Sequence, residues 1–476
     1  MRNNSVAIIG AGITGLTAAF RLQQRGIPVI VYEAGPRVGG VIQSVRQGGF
    51  LAECGPNSIL ETSPKIASLV ADLGLEQRRL YSEPRAEKRY LVRGGKPVEM
   101  PGSLGGFLKT PLFSAGAKLR LFREPFVRRA AGEAEESVAE FVVRRLGQEF
   151  LDYAIDPLVA GVYAGDPARL SVKEAFPKLH ALEQRYGSLI LGQTLGARER
   201  KRRAEVSKQS AKKFSFDEGL QTLVDTLHQK LGNAVQLRSP VASIRSSPAG
   251  WRVIAGGEGA RKVAEHSAVL FAGTAGKLAQ LNILADGVPS LAPLAQIHHP
   301  PVASVVLGFR REDVAHPLDG FGMLIPRVEK CHTLGTLFSS TLFPGRAPAG
   351  HVTLTSYIGG ARNPDLALKD PGTLAELARQ DLRKLLGVSG EPAFQHSFVY
   401  REAIPQYNVG FGRTRELMAR VEATAPGLFL AGHYRNGISL GDSLVAGHDA
   451  ATRIAASLGV SSELARHIET PTLVEA

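Results

Sequence analysis

The chain opens on Val6-Ala7-Ile8-Ile9, an apolar run that reads as a strand. A glycine turn comes next, then Leu16, Ala19, Phe20 and Leu22 on one side of a predicted helix, then a second apolar run, Val29-Ile30-Val31-Tyr32. Residues 5–33 therefore predict a βαβ unit. From about 101 to 213 the pattern turns charged and helix-prone, with glycine and proline breaks. Strand-like runs return at 235–244, 251–254, 268–271, 302–309, 334–337, 352–358 and 428–430. A last helix is expected from about Ser443 to Leu458, with a short polar tail after it. There is no internal repeat. Signals of one fold at both chain ends, with other material between, predict a discontinuous nucleotide domain carrying insertions.

Composition narrows the class. A chain of 476 residues, 44% hydrophobic, suits two or three domains with sizeable cores. Two cysteines, Cys54 and Cys331, are too few for a secreted disulfide framework and suggest a reducing compartment. The first residues leave no room for a signal peptide ahead of the first strand, and no apolar run approaches the roughly 20 residues of a spanning helix. A cytoplasmic protein is expected, with a peripheral place on the inner face of a membrane left open. The net charge of +13 favours anionic partners. Nucleic acid is not expected, because no zinc-finger spacing, RNA-binding aromatic motif or basic zipper occurs.

Gly10-Ala11-Gly12-Ile13-Thr14-Gly15, with Ala19 and Gly26 behind it, has the small-residue spacing of a dinucleotide turn. Gly10 makes the tight turn, Gly12 lets backbone N–H groups approach a pyrophosphate, and Gly15 with Ala19 lets the helix pack close to the sheet. The pyrophosphate would meet the positive end of the helix dipole. Glu33, ending the second strand, is placed to accept hydrogen bonds from the adenosine ribose and disfavours a 2′-phosphate, so NADP is not expected. The residues after Glu33 select FAD over NAD. The run Glu33-Ala34-Gly35-Pro36-Arg37-Val38-Gly39-Gly40 resembles an extension shared by flavin amine oxidases, carotenoid desaturases and protoporphyrinogen oxidases, in which the arginine and paired glycines lie along the second half of the cofactor. Glu53-Cys54-Gly55-Pro56-Asn57 resembles the segment passing the flavin ring, and Ser58 joins Gly55, Pro56 and Asn57 among the cofactor residues. At the far end, Gly432-His433 and Gly437-Ile438-Ser439-Leu440 lead into the last helix, whose N-terminus points at the flavin pyrimidine edge in this superfamily. Its partial charge, roughly half an elementary charge, would stabilise the anionic reduced ring.

More specific segments are Lys88-Arg89-Tyr90-Leu91, Gly161-Val162-Tyr163-Ala164-Gly165-Asp166-Pro167, Gly320-Phe321-Gly322-Met323-Leu324 and Ala403-Ile404-Pro405-Gln406-Tyr407. With these, the chain resembles the oxygen-dependent protoporphyrinogen/coproporphyrinogen oxidases over most of its length. The resemblance implies an α/β fold, α+β overall: a Rossmann-like FAD-binding domain from 1–85, 214–285 and 395–460, a mixed-sheet substrate domain from 86–100 and 286–394, a helical lobe at 101–213 and a tail at 461–476. It implies oxidation of protoporphyrinogen IX to the porphyrin in haem biosynthesis, six electrons in three flavin turnovers, with O2 as acceptor; coproporphyrinogen III is the alternative substrate. Flavin N5 would take the hydride, so no catalytic side chain is assigned.

The resemblance places Arg89 against a propionate carboxylate, suited to a planar guanidinium. It places Gly161 under the pyrrole nitrogens, Phe321 and Leu324 around the macrocycle, and Tyr357 in the same wall. Val241 joins the cofactor residues. Asn57 stands where some relatives carry arginine, so a basic anchor is missing there. Tyr400 takes a position beside the flavin often held by tryptophan. His298-His299, before two prolines, reads as a surface turn, and Arg198–Lys213 as a solvated loop or helix end. The basic, Phe- and Leu-rich segment Leu104–Arg129 reads either as an amphipathic lobe with a charged outer face or as a contact for anionic membrane. A homodimer is left open. The competing readings are an amine oxidase or carotenoid desaturase and, on the same scaffold, a non-enzymatic escort protein.

Overall fold

The run Val6–Ile9 lies at the centre of a five-stranded sheet ordered Val235–Gln236, Val29–Tyr32, Val6–Ile9, Ala268–Phe271, Leu428–Leu430. Every pair in it is parallel. The structure is a computed structural model and describes residues 5–129, 135–193, 195, 211–256 and 262–460. Because successive side chains alternate across a strand, the sheet feeds two cores. Val6, Ile8, Val29, Val31, Ala268 and Leu270 share one core with the helices Ile13–Gln23, Gln221–Leu231 and Leu440–Ser457. Ala7, Tyr32, Val269 and Phe271 share the other with Trp251 and Val253 of a four-stranded sheet.

The first and last helices are locked at one crossing. Thr14 Oγ1 donates to the Ser443 carbonyl at 3.1 Å, and a Cβ on Gly447 would lie 2.4 Å from the Thr14 carbonyl oxygen. Only glycine at 447 permits that approach. The two chain ends are thereby brought to one place, as the sequence pattern implied. The last helix starts at Leu440, three residues before the expected Ser443, because Ser439 and Asp442 form a capping box.

The expected strand at 235–244 is instead two strands in different sheets. Val235–Gln236 runs parallel to Val29–Tyr32, while Val241–Ser247 pairs with Gly250–Ala255. Arg238, at φ 49°, and Pro240 break the run between them.

A seven-stranded mixed sheet is ordered Phe394–Tyr400, Val302–Arg310, His351–Gly359, Thr333–Leu337, Gly320–Leu324, Lys88–Arg93, Lys96–Glu99. The helix Pro371–Leu386 covers one face through Leu374, Ala378 and Leu382. The only parallel pairing in this sheet, among the described residues, sets Arg89 opposite Gly322. The sheet's edge strand begins at Phe394, so it crosses the expected boundary at 394/395. Lys213–Phe216 is likewise a strand, between Ile59–Leu60 and Arg79–Tyr81, and crosses the expected boundary at 213/214. Lys213 is therefore half-buried in a sheet where a solvated loop was expected; 198–210 lie outside the described residues.

Helices Leu104–Lys109, Ala115–Arg123, Val138–Arg145, Asp156–Tyr163 and Pro177–Tyr186 build the lobe. At its centre the wholly buried Arg145 bonds Glu124 and Glu183, each at 2.7 Å. Buried charges persist only when paired, so the trio holds the lobe as a unit. The outer face is not simply charged. Leu104, Leu119, Phe122 and Phe126 are exposed there, Phe126 at 86%, among Arg120 and Arg123.

Candidate functional site

At the C-terminal end of the central strand, Gly10 turns the chain at φ 106°. Gly15 has no freedom: a Cβ there would lie 2.0 Å from the Gly10 carbonyl oxygen. Gly12 differs, since a Cβ on it would meet nothing within 4 Å. Protein packing does not require a glycine at 12, and the helix N-terminus that Gly12 begins has no side-chain cap. Uncapped N–H groups facing open space are what an anion needs. Gly39 and Gly40, at φ 98° and 59°, close the other side; a Cβ on Gly40 would lie 3.5 Å from Gly12 Cα. Ile13 and Thr14 are taken up by packing and by the bond to Ser443.

Glu33 holds this cradle together. Its carboxylate accepts from Ala11 N at 2.8 Å and Gly35 N at 2.7 Å. A carboxylate has about four acceptor sites, so both oxygens keep capacity for ribose hydroxyls. Ala34 is exposed at the rim. Arg37 folds back on its own loop, donating to the carbonyls of Val38, Gly40 and Ile42 at 2.6–3.0 Å. Arg238 N and Ser239 N donate to the carbonyls of Gly35 and Glu33, which carries Val241 toward the same edge.

Toward the second half, Gly55 passes the 40–42 loop so closely that a Cβ would lie 2.2 Å from the Val41 carbonyl oxygen. Tyr400 donates its hydroxyl to that carbonyl at 2.9 Å. Asn57 donates to the Tyr357 hydroxyl at 2.5 Å, tying Gly55-Pro56-Asn57-Ser58 to the seven-stranded sheet. Burial pushes the Tyr357 hydroxyl pKa well up, so it stays protonated.

The far end of the chain meets this region at Gly432–Leu440. Tyr407 is the tie that sequence reasoning left without a role: its hydroxyl donates to the His433 carbonyl and accepts from Gly437 N at 3.1 Å. The neighbouring Gln406 donates to the Tyr163 carbonyl at 2.8 Å. Two of the specific motifs, Gly161–Pro167 and Ala403–Tyr407, thus form one unit against the turn that precedes the last helix. His298 is exposed as a surface turn predicts, but His299 is not: its ring lies 6.3 Å from that of His433. His299 Nδ1 donates to the Ile297 carbonyl at 2.8 Å, leaving Nε2 a bare buried acceptor with no partner among the described residues. Burial, then the neighbouring His299, pulls the His433 pKa down to about 4, so His433 is neutral at physiological pH.

The expected substrate residues come from four separated segments. Gly161, near the end of the helix Asp156–Tyr163, is pressed by Leu324: a Cβ would lie 2.4 Å from Leu324 Cδ2. Phe321 is half-buried against Leu80, Leu337, Leu342 and Phe343. Arg89 is exposed. Strand alternation turns its neighbour Lys88 to the other face, where Asp319 binds it at 2.7 Å. The nearby Lys213, which sequence reasoning does not single out, lies with Nζ 5.7 Å from the centre of the Phe321 ring. The signal for it is the alternation Lys-Phe-Ser-Phe at 213–216.

The open, uncapped cradle, the glycine-lined passage and the unpartnered His299 acceptor fit a long, anionic, planar ligand held by both chain ends. The family model described as flavin containing amine oxidoreductase matches residues 13–455. The chain is 37% identical to protoporphyrinogen oxidase 2, chloroplastic/mitochondrial, of Arabidopsis thaliana, covering 94% of this chain and 92% of the relative. It is 30% identical to coproporphyrinogen III oxidase of Bacillus subtilis (strain 168), covering 92% and 95% respectively. The solved structure of cyclohexylamine oxidase from Brevibacterium oxydans shares the fold, with TM-score 0.68 at 17% identity over 96% of this chain and all of that one.

Proposed function

The chain belongs to the flavin-containing amine oxidoreductase family, and from that premise we propose that it oxidises a porphyrinogen to the porphyrin, with FAD as cofactor and O2 as acceptor, as a step of haem biosynthesis. The observation that carries this reading is likeness along nearly the whole chain to relatives named for that reaction, protoporphyrinogen oxidase foremost. Protoporphyrinogen IX is accordingly the first substrate to test. Coproporphyrinogen III is the second, since relatives at 29–30% identity are named for it.

When bound, FAD would supply the hydride acceptor for the three two-electron oxidations, with O2 as the final acceptor. The chain's own residues position and enclose. The helix N-terminus at Gly12 and the Gly39-Gly40 loop hold the pyrophosphate. Gly161 and Leu324, packed against each other, form one wall of the pocket for the macrocycle, Phe321 and Tyr357 line it further, and Arg89 takes a propionate at its mouth. Tyr407 fixes the turn before the last helix, which would hold the flavin ring. His299 and His433, both kept neutral by burial, add no charge beside it.

Among the described residues no helix is long and apolar enough to cross a membrane. The exposed Leu104, Leu119, Phe122 and Phe126 beside Arg120 and Arg123 support a peripheral contact with anionic bilayers. Anaerobic incubation with protoporphyrinogen IX or coproporphyrinogen III, then admission of air, should accelerate porphyrin fluorescence far beyond autoxidation. No acceleration with either would overturn the reading, and kcat/KM for the two decides between them.

A further inference from the structure

Lys213 begins the strand Lys213–Phe216. Alternation sends Phe214 and Phe216 into the core around the cofactor helices. Ser215, on the same side of the strand as Lys213, is taken by Arg346 at 2.7 Å. Lys213 is half-buried, yet it makes no ion pair or side-chain hydrogen bond among the described residues. Its ammonium rests on the Phe321 ring at 5.7 Å. Burial, then the positive field of Arg89, disfavours its charged form; the exposed Glu87 opposes this without pairing with it.

Arg89, exposed, and Lys213, half-buried, act on each other as like charges, and neither has a carboxylate ion-pair partner among the described residues. Two other cations of the region are engaged by carboxylates. Lys88 is bound by Asp319 at 2.7 Å and Glu99 at 3.5 Å, and Arg79 lies 3.6 Å from Glu61. A pair of cations left unmatched beside a half-exposed aromatic ring repel each other until an anion joins them. Phe321 is one of the apolar residues expected around the macrocycle.

We propose that Lys213 is a second carboxylate-binding residue of the substrate pocket, taking one propionate of a polycarboxylate macrocycle while Arg89 takes another. This rests on the porphyrinogen reading above. It replaces the basic anchor that Asn57 does not supply: the positive group enters from the strand at 213, not from the Gly55–Ser58 loop.

The test uses the flavin-loaded enzyme and two probes, protoporphyrin IX and its dimethyl ester, whose binding is read by fluorescence. Lys213→Met should weaken the diacid about tenfold, the loss of one charge-assisted hydrogen bond, and change the ester less than twofold. Lys213→Arg should restore diacid binding. With porphyrinogen as substrate, Lys213→Met should raise KM by a similar factor and leave kcat within about twofold. Equal weakening of diacid and ester would overturn the proposal, because Lys213 would then act only through packing on Phe321. So would no weakening of either. Should Lys213→Met fold poorly, by melting temperature and flavin content, Lys213→Gln carries the same comparison. If the wild-type enzyme neither binds the probes nor turns over a porphyrinogen, the reading of the function itself falls; turnover by wild type with an unaltered Lys213→Met removes the lysine alone.

Discussion

The cofactor cradle and the substrate pocket are built on opposite plans. The cradle is mostly backbone. Gly10, Gly12, Gly15 and Glu33 lie within one βαβ unit, and their roles come from local geometry: a positive φ at Gly10, a carbonyl 2.0 Å from any Cβ at Gly15, two amides held by Glu33. The proposed pocket is mostly side chains, and no two of Arg89, Gly161, Lys213, Phe321 and Tyr357 share a strand or helix. The difference teaches where damage should propagate. A cradle residue supports both fold and ligand, whereas a pocket residue at the rim supports the ligand alone.

The largest effect is expected at Gly15. Gly15→Ala forces the first helix away from the strand it follows, and the purified protein should lack the yellow absorbance of bound flavin and melt well below wild type. A normal flavin content would show that the helix can shift without cost and would break the contrast. Acidification should act next, also through the cradle side. His266 lies beneath the parallel sheet, 3.0 Å from both Ser5 Oγ and Tyr32 Oη, and burial lowers its pKa from 6.5 to about 4. The unfolded chain therefore binds the proton more readily between those values. Stability from this group is complete above pH 6.5 and falls as the pH drops toward 4, by at most ~3 kcal/mol. Melting temperatures over that range, with flavin absorbance, should show the loss in wild type and a flatter profile in His266→Gln; identical profiles would remove His266 as the cause.

Glu33→Ala removes the acceptor of two amide hydrogen bonds and should weaken FAD roughly a hundredfold, at a few kcal/mol for a charged acceptor. Titrating apoprotein with FAD measures it, and a change below threefold would mean the loop is held by other contacts. The smallest effect is expected at the pocket rim. Arg89→Ala should raise KM about tenfold, with kcat within about twofold and the melting temperature unchanged. A large drop in melting temperature would put Arg89 in the fold and not in the pocket.

The same contrast explains what is legible in the chain before it folds. The cradle is visible because its residues are contiguous and each is demanded by a single turn. The strands at 268–271 and 428–430 have the bounds their pattern predicts, both being fully apolar runs. The run at 235–244 misleads because apolar pattern alone does not report the left-handed Arg238 that divides it. His299 looks like its exposed neighbour His298, since nothing local indicates that His433 packs against one ring and not the other. Tyr407 stands in a specific motif, but its bonds run to His433 and Gly437, contacts that exist only once the last helix is docked.

By itself, then, the sequence determined the nucleotide-binding unit, the identity of its small and acidic residues and the presence of a partner segment at the far end. Those depend on turn geometry and on periodicity over a few residues. Only the tertiary structure decided how the two ends meet, through Thr14, Ser443 and Gly447. It also decided which cations are neutralised. Lys88 and Arg89 are adjacent in the chain, yet Asp319 neutralises one and no carboxylate among the described residues pairs with the other, because a strand turns successive side chains to opposite faces and the partners come from elsewhere.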